Sequence, residues 1–105
     1  MLLQQQILLT IKQQILDILP EASILLFGSR ASNTATEESD WDILVIVKGA
    51  AISRQTKRAV HDKIFPLSVS IGAFINLLLV TKADWENSPS FYSLKKSVVA
   101  NNLVL

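Results

Sequence analysis

The sequence predicts a small α/β domain in which amphipathic helices alternate with short apolar strands. Apolar runs of strand length lie near residues 23–27, 41–47 and 73–80. Two longer segments, near 2–18 and 53–71, instead carry apolar residues at spacings of three and four. The chain has 105 residues, and 50% of them are hydrophobic, so it can bury one core. We therefore expect residues 1–105 to form a single domain.

The first half of the chain predicts a helix followed by two strands. The helix covers about 2–18 and is closed by Pro20; its apolar stripe is Leu3, Ile7, Ile11, Ile15 and Ile18. A buried strand over 23–27 ends at Gly28, and a helical turn from Ser29 to about Asn33 leads into a polar, acidic loop. The second strand, 41–47, is apolar on both alternating faces after Asp42, so we expect it to be central in the sheet and covered on both sides.

The second half predicts two more helices around a third strand. Ser53 is a suitable N-cap and Gly72 a suitable C-cap for the longer helix, while Pro66 inside it should kink or break it. Asn76 interrupts the apolar strand 73–80. A short helical turn is expected at 84–85, a last helix over 91–99, and a short edge strand at 103–105.

Composition excludes several classes of function. There is no cysteine, which removes disulfides and thiolate zinc sites, and the single histidine, His61, cannot form a metal site alone. The net charge of +1 disfavours a nucleic-acid binder, which usually carries a strong basic stripe. No run approaches the ~18 apolar residues of a membrane helix, and Met1–Thr10 lack the basic start of a signal peptide. We therefore expect a soluble, cytoplasmic protein without a membrane partner.

Asp40 and Asp42 form the first candidate site. Residues i and i+2 of a strand point to the same face, so the two carboxylates should project together, ~7 Å apart, while Trp41 points away. Two such carboxylates repel each other unless a cation lies between them. Mg²⁺ (or Mn²⁺) suits this position because it binds a few carboxylates and shares its other positions with water and substrate phosphates.

The Gly28-Ser29 turn supplies the second candidate site. Glycine permits close approach of a ligand, and the N–H groups that follow at a helix start favour an anion. The Ser29 hydroxyl can donate to a phosphate oxygen, and Arg30 is a candidate for phosphate or for the acids of the loop. Both motifs also have an ordinary structural interpretation, because a Gly-Ser turn or an Asp-x-Asp strand start is commonly no more than turn chemistry.

Together the two motifs resemble a known signature. Gly28-Ser29, ten further residues and then Asp40-Trp41-Asp42 are similar to the Gly-Ser-x10-Asp-x-Asp pattern of minimal nucleotidyltransferases, within the DNA polymerase β-type superfamily. The resemblance extends over about 5–105 and includes the segments 80–86 and 103–105. It implies one minimal nucleotidyltransferase domain, with the fold of a small mixed-sheet α/β (α+β) palm.

The resemblance also implies an activity and its residues. Asp40 and Asp42 would hold divalent metal, and Gly28 and Ser29 the triphosphate of ATP. The reaction would transfer a nucleoside monophosphate, typically AMP, to an acceptor and release pyrophosphate. Minimal members often pair with a helical HEPN-type protein, for which they serve as antitoxin and which they can adenylylate. The chain has no separate acceptor-binding domain, so we expect such a partner or a homo-oligomer.

One position departs from the family pattern. Active members usually carry a third carboxylate on the strand after the long helix, where this chain has Asn76, and no acid lies between Lys63 and Ala83. This leaves an alternative, in which a catalytically degenerate protein binds nucleotide or neutralises a helical partner by contact.

Two surface features have alternatives of their own. One is a basic helical face that is either merely solvated or a footprint for an acidic partner; it comprises Arg54, Lys57, Arg58 and Lys63. The other is an aromatic group that either packs or stacks an adenine; it comprises Trp85, Phe91 and Tyr92.

Overall fold

The computed structural model describes residues 3–32, 34–36, 39–49 and 51–105. In chain order its helices and strands are α1 (Gln4–Ile18), β1 (Ser23–Phe27), β2 (Trp41–Val47), α2 (Arg54–Ile71), β3 (Ile75–Thr81), α3 (Lys82–Asn87), α4 (Tyr92–Ala100) and β4 (Leu103–Val104). Short 3-10 turns at Gly28–Arg30 and Pro89–Phe91 follow β1 and precede α4.

The four strands form one mixed sheet in the order β3-β2-β1-β4. β2 pairs antiparallel with β1 and parallel with β3, whereas β4 pairs antiparallel with β1. The predicted α/β class with a small mixed sheet is thus confirmed. The predicted central position of the second strand is also correct, because β2 has a neighbour on each side.

Apolar clusters cover both faces of β2, as its sequence requires. Trp41, Ile43 and Val45 belong to the larger cluster, which α1 and α2 complete with residues such as Ile11 and Ile64. Leu44 lies in the smaller cluster on the other face; its other buried members are Val80 and Val98, and Leu25, Phe27, Ile46, Leu78, Trp85, Phe91 and Leu94 pack against it. Alternation along β2 therefore assigns Asp42 to the face of Leu44, opposite α1 and α2.

The predicted caps of α2 are confirmed, but the helix does not break at Pro66. The Ser53 hydroxyl accepts the N–H of Thr56 at 3.0 Å, and Gly72 ends the helix with φ of +68°. The helix is continuous through Pro66, which is exposed. Proline cannot donate the hydrogen bond that the carbonyl of Asp62 would otherwise accept. Asp62 is also an exposed residue, so water can bond this carbonyl instead.

Other boundaries shift by one to three residues. β3 begins at Ile75 instead of Ala73, and α3 begins at Lys82, earlier than expected, because the Thr81 side chain accepts the N–H of Asp84 at 3.0 Å. The helical turn predicted for 29–33 is a 3-10 turn over Gly28–Arg30; its predicted end at Asn33 lies outside the described residues, as does residue 2 of the first helix. Among the helices in the described part of the chain, none combines the length and hydropathy needed to cross a bilayer.

Candidate active site

Asp40, Asp42 and Asn76 meet at the start of β2 and β3. The Asn76 amide nitrogen, Nδ2, donates to Asp40 Oδ2 at 3.1 Å and to Asp42 Oδ1 at 3.1 Å. Both carboxylates therefore reach the same atom, as the spacing of two residues predicts. Asp40 and Asn76 are exposed and Asp42 is half-buried, so the group is open to solvent.

The parallel register of β2 and β3 positions this group. Asp42 is paired with Asn76 across the sheet, and on its other side Asp42 is paired with Phe27, the last residue of β1. The backbone N–H of Trp41 donates to the carbonyl of Phe74 at 2.9 Å, which fixes the entry to both strands. Asn76 thus lies beside the two aspartates, on the strand where the family resemblance implies a third carboxylate.

Gly28 lies directly against the Asp42 carboxylate. Its φ is +75°, a backbone conformation that favours glycine, and a Cβ built on it would overlap Asp42 Oδ2 and lie 3.2 Å from Asp42 Cγ. The glycine is therefore required both by its backbone and by the room that Asp42 takes. This contact brings the turn after β1 next to the carboxylates, as the motif spacing implies.

Ser29 contributes its carbonyl, and not its hydroxyl, to the internal bonding of the turn. The carbonyl accepts the N–H of Thr34 at 3.0 Å and the Ser32 hydroxyl at 3.2 Å. Within the described residues its hydroxyl makes no hydrogen bond, and Ser29 is half-buried directly after Gly28. The hydroxyl thus remains able to donate to an anion bound at this turn.

Arg30 is turned toward the segment that leads into β2. Its Nε and Nη2 donate to the carbonyl of Ser39 at 3.1 and 2.8 Å, and its guanidinium lies 4.0 Å from the centre of the Trp41 ring. Trp41 alternates with Asp40 and Asp42 along the chain and is 2% exposed, so its ring lies on the other face of the sheet. The sequence analysis proposed phosphate or the acids of the loop as partners of Arg30. It did not predict this pair of hydrogen bonds to the backbone carbonyl of Ser39, next to Asp40.

The donor set fits a divalent metal in chemistry. One carboxylate oxygen from each aspartate contacts the Asn76 amide nitrogen. A 180° rotation of the Asn76 amide group would turn its oxygen toward the carboxylates instead. Hard cations such as Mg²⁺ bind a few carboxylate and amide oxygens and complete their shell with water and phosphate. No cluster of three or more histidine, aspartate or glutamate side chains suited to a metal occurs in the described residues, which agrees with asparagine at the third position.

The aromatic group does not join this site. Trp85 and Phe91 contact each other, with ring centres 6.1 Å apart, and pack against the smaller apolar cluster. Both residues follow the C-terminal end of β3 in the chain. Asn76 and the carboxylates lie at the near end of the same strand. Tyr92 is exposed, with the Lys96 ammonium 4.8 Å from its ring centre. The packing interpretation is therefore correct for Trp85 and Phe91, but not for Tyr92.

This combination of sheet, glycine turn and paired aspartates defines a nucleotidyltransferase-type palm. The model of the nucleotidyltransferase domain family matches residues 8–97, which is most of the chain. The protein therefore belongs to the nucleotidyltransferase domain family. No curated protein matches the sequence significantly.

Two solved structures share the fold at low sequence identity. One is the crystal structure of spectinomycin adenyltransferase from Enterococcus faecialis with ATP and spectinomycin, with a TM-score of 0.70 and 19% identity over 92% of this chain. This chain spans 54% of that enzyme, or about half its length. The other is a toxin-antitoxin structure with AMP-PNP, with a TM-score of 0.59 and 20% identity; the match covers 97% of this chain and 72% of the other.

Proposed function

We propose that this chain is a minimal nucleotidyltransferase domain that transfers AMP from ATP to an acceptor on a partner protein, with Mg²⁺ as the required metal. The observation that carries the proposal is the position of Asp42, whose carboxylate lies between the Gly28 turn and Asn76 and shares a donor with Asp40. Membership of the family and the ATP and AMP-PNP present in the two similar structures support a nucleotide as the substrate.

Each residue of the site has a distinct task in this proposal. Asp40 and Asp42 hold the metal, and the backbone at Gly28 and the Ser29 hydroxyl bind the triphosphate. When bound, the metal neutralises phosphate charge and favours attack on the α-phosphorus. Arg30 acts indirectly, because its bonds to the Ser39 carbonyl and its contact with Trp41 hold the chain on both sides of Asp40.

We infer a helical partner of the HEPN type. The toxin-antitoxin structure supports this part of the proposal, since its match covers 97% of this chain. The site residues lie at the end of a small sheet, and Asp40 and Asn76 are exposed, so the site is open to an acceptor on a partner. A cytoplasmic location would be consistent with ATP as substrate.

Asn76 favours a second candidate function, nucleotide binding without efficient transfer. Its amide donates to both aspartates and so satisfies them without metal, and it adds no negative charge with which to hold a second cation. In this alternative the chain binds nucleotide or neutralises its partner by contact.

Titration calorimetry with ATP, with and without Mg²⁺, tests the proposed site. The wild-type chain should bind ATP only with the metal, and Asp42→Asn should abolish this binding while the protein remains folded. Asp84→Asn is the matched control, since Asp84 is an exposed aspartate just after the C-terminal end of β3. This variant should bind ATP as the wild type does. If the wild-type chain does not bind ATP at all, the nucleotide site is refuted and only the contact function remains.

A further inference from the structure

An apolar groove runs along α2 on the side away from α1. It encloses about 470 Å³ between the C-terminal half of α2 and the beginning of β3. Three large apolar side chains at its rim are mostly exposed: Phe65 at 66%, Val69 at 66% and Phe74 at 73%. Three such side chains in one patch are more than the isolated exposed apolar residues of an ordinary surface, and they indicate a protein-binding surface.

The same side of α2 is basic in its first turns. Arg54, Lys57 and Arg58 are exposed and precede the groove residues His61 and Phe65 at spacings of three, four and seven, which places them along one stripe of the helix. Lys63 leaves this stripe and its ammonium lies 3.3 Å from the Asp17 carboxylate of α1. The surface therefore has a basic end and an apolar end, and we call it the α2 groove.

The charges of the α2 groove, which Asp62 also lines, disfavour a symmetric pairing of two copies through this surface. A second copy would offer its own α2 stripe, whose only acid among the described residues is Asp62. That carboxylate already lies 3.9 Å from Arg58 of the same helix. Two copies would thus bring basic ends together without carboxylates to oppose them, whereas an acidic partner would be complementary to this end.

We propose that the α2 groove binds an amphipathic helix of a partner protein, acidic at one end and apolar at the other. A helix laid beside α2 would fill the groove in the way that α1 packs against the opposite side of α2. Its apolar end would cover Phe65, Val69 and Phe74, and its acidic end would meet Arg54 and Arg58. The inference rests on the proposed partnership with a helical protein and does not require catalysis.

A displayed library of amphipathic helices of 18 residues, the length of α2, tests this proposal on the purified chain. The library varies apolar and charged positions independently, so the protein selects the pattern. We expect the selected peptides to carry acidic residues toward one end. Their affinity for the protein should fall about tenfold or more in the variants Phe65→Ser and Val69→Ser and in the double variant Arg54→Glu and Arg58→Glu. Val99→Ser is the matched control and should leave affinity unchanged. Val99 is 73% exposed on α4, whose Val98 packs on the opposite face of the sheet from α2.

Several results would overturn the proposal. These are the absence of enriched peptides, enrichment of basic or neutral ones, and binding that survives the groove variants. A wild-type dimer that Val69→Glu converts to a monomer in sedimentation would assign the groove to a second copy. Binding of a 20-nucleotide RNA that is lost with the arginine reversals but retained in Phe65→Ser would assign it to nucleic acid.

Calorimetry with ATP and Mg²⁺ on the same variants separates this inference from the proposed function. Asp42 faces the opposite side of the sheet from α2, so Phe65→Ser and Val69→Ser should keep nucleotide binding. Peptide binding without ATP binding would retain the α2 groove and refute the nucleotide site, and the reverse result would retain only the nucleotide site.

Discussion

The Asp42 side chain links the glycine turn after β1 to the neighbouring strand β3. Its carboxylate takes up the space that a side chain at Gly28 would need, and it accepts a hydrogen bond from Asn76 on the next strand. It is also half-buried, in contrast to the exposed Asp40. A substitution at Gly28 or Asn76 should therefore shift the position of the Asp42 carboxylate.

Gly28→Ala should remove metal-dependent ATP binding. The new methyl group would displace the Asp42 carboxylate, and φ of +75° would cost about 1–2 kcal/mol of stability. Gly72→Ala is the matched control, because Gly72 has φ of +68° but no atom within 4 Å of a built Cβ. In urea denaturation Gly28→Ala should lose at least as much stability as Gly72→Ala, because only its methyl group also displaces a side chain. Calorimetry should show loss of ATP binding for Gly28→Ala alone. Equal ATP affinity in the two variants would separate Gly28 from the nucleotide site.

Arg30→Lys should weaken both the fold and the metal site while it keeps the charge. Lysine cannot make the paired bonds to the Ser39 carbonyl or stack its flat group on Trp41, so we expect a loss of about 1–3 kcal/mol in the free energy of unfolding. The affinity for Mg²⁺ measured with ATP should fall, because Asp40 lies between Ser39 and Trp41, both of which Arg30 contacts. The exposed Arg54→Lys serves as the control. Unchanged stability in Arg30→Lys, with a loss confined to ATP affinity, would instead favour the direct phosphate contact.

The helices and strands that could be predicted from the sequence are those whose signals are local. The apolar period of α1, the caps Ser53 and Gly72 of α2, and the burial of β2 on both faces all follow from residues near each other in the chain. Strand order and register depend on packing between distant segments, so the pairing of Asp42 with Asn76 could be inferred only through the family resemblance. The contact of Arg30 with Ser39 and Trp41 spans nine residues and more across a loop, where no periodic signal exists.

Pro66 shows the opposite case, a strong local signal that the rest of the molecule overrides. Buried Val60, Ile64 and Leu67 hold α2 on the core from both sides of the proline, and the lost hydrogen bond lies on the exposed face. Packing of the apolar face supplies most of the stability of a helix in a protein, so one missing bond does not end it.

Pro66→Ala should therefore stabilise the protein. Alanine restores an N–H to bond the Asp62 carbonyl and removes the helix-interior penalty of proline, which is typically ~3 kcal/mol. We expect a gain of about 1–3 kcal/mol, slightly offset by the greater freedom of the unfolded chain. The measurement is the midpoint of urea denaturation, with Ser70→Ala, at another exposed position of α2, as control. A loss of stability would mean that α2 is bent at Pro66 in a way the core requires.

The sheet separates two kinds of surface. The carboxylates and Asn76 lie on the face covered in part by α4, whereas the α2 groove lies on the face covered by α1 and α2. Both surfaces use the same edge strand, since Ile75 and Leu77 line the groove and Asn76 between them points to the carboxylates. A partner could therefore be bound next to the site without covering it, which is the arrangement that transfer to a partner protein needs.

Asn76→Asp decides whether the molecule is an efficient transferase or chiefly a nucleotide-binding protein. A third carboxylate beside Asp40 and Asp42 should lower stability without metal, because it replaces a donor by a repelling charge, and should enlarge the rise in melting temperature on adding Mg²⁺. Transfer of labelled AMP to a co-expressed helical partner should rise by about 10²–10³ if the rest of the site is sound, the range that removal of such electrostatic assistance costs in enzymes. Asn87→Asp, at an exposed asparagine at the end of α3, controls for added charge in the Mg²⁺ and transfer measurements. It is no control for stability, because it also loses the hydrogen bond of Asn87 to the Ala83 carbonyl. Strong wild-type transfer that Asn76→Asp leaves unchanged would show that position 76 is not the missing catalytic position, while ATP binding in both proteins with transfer in neither would leave nucleotide binding as the function of the domain.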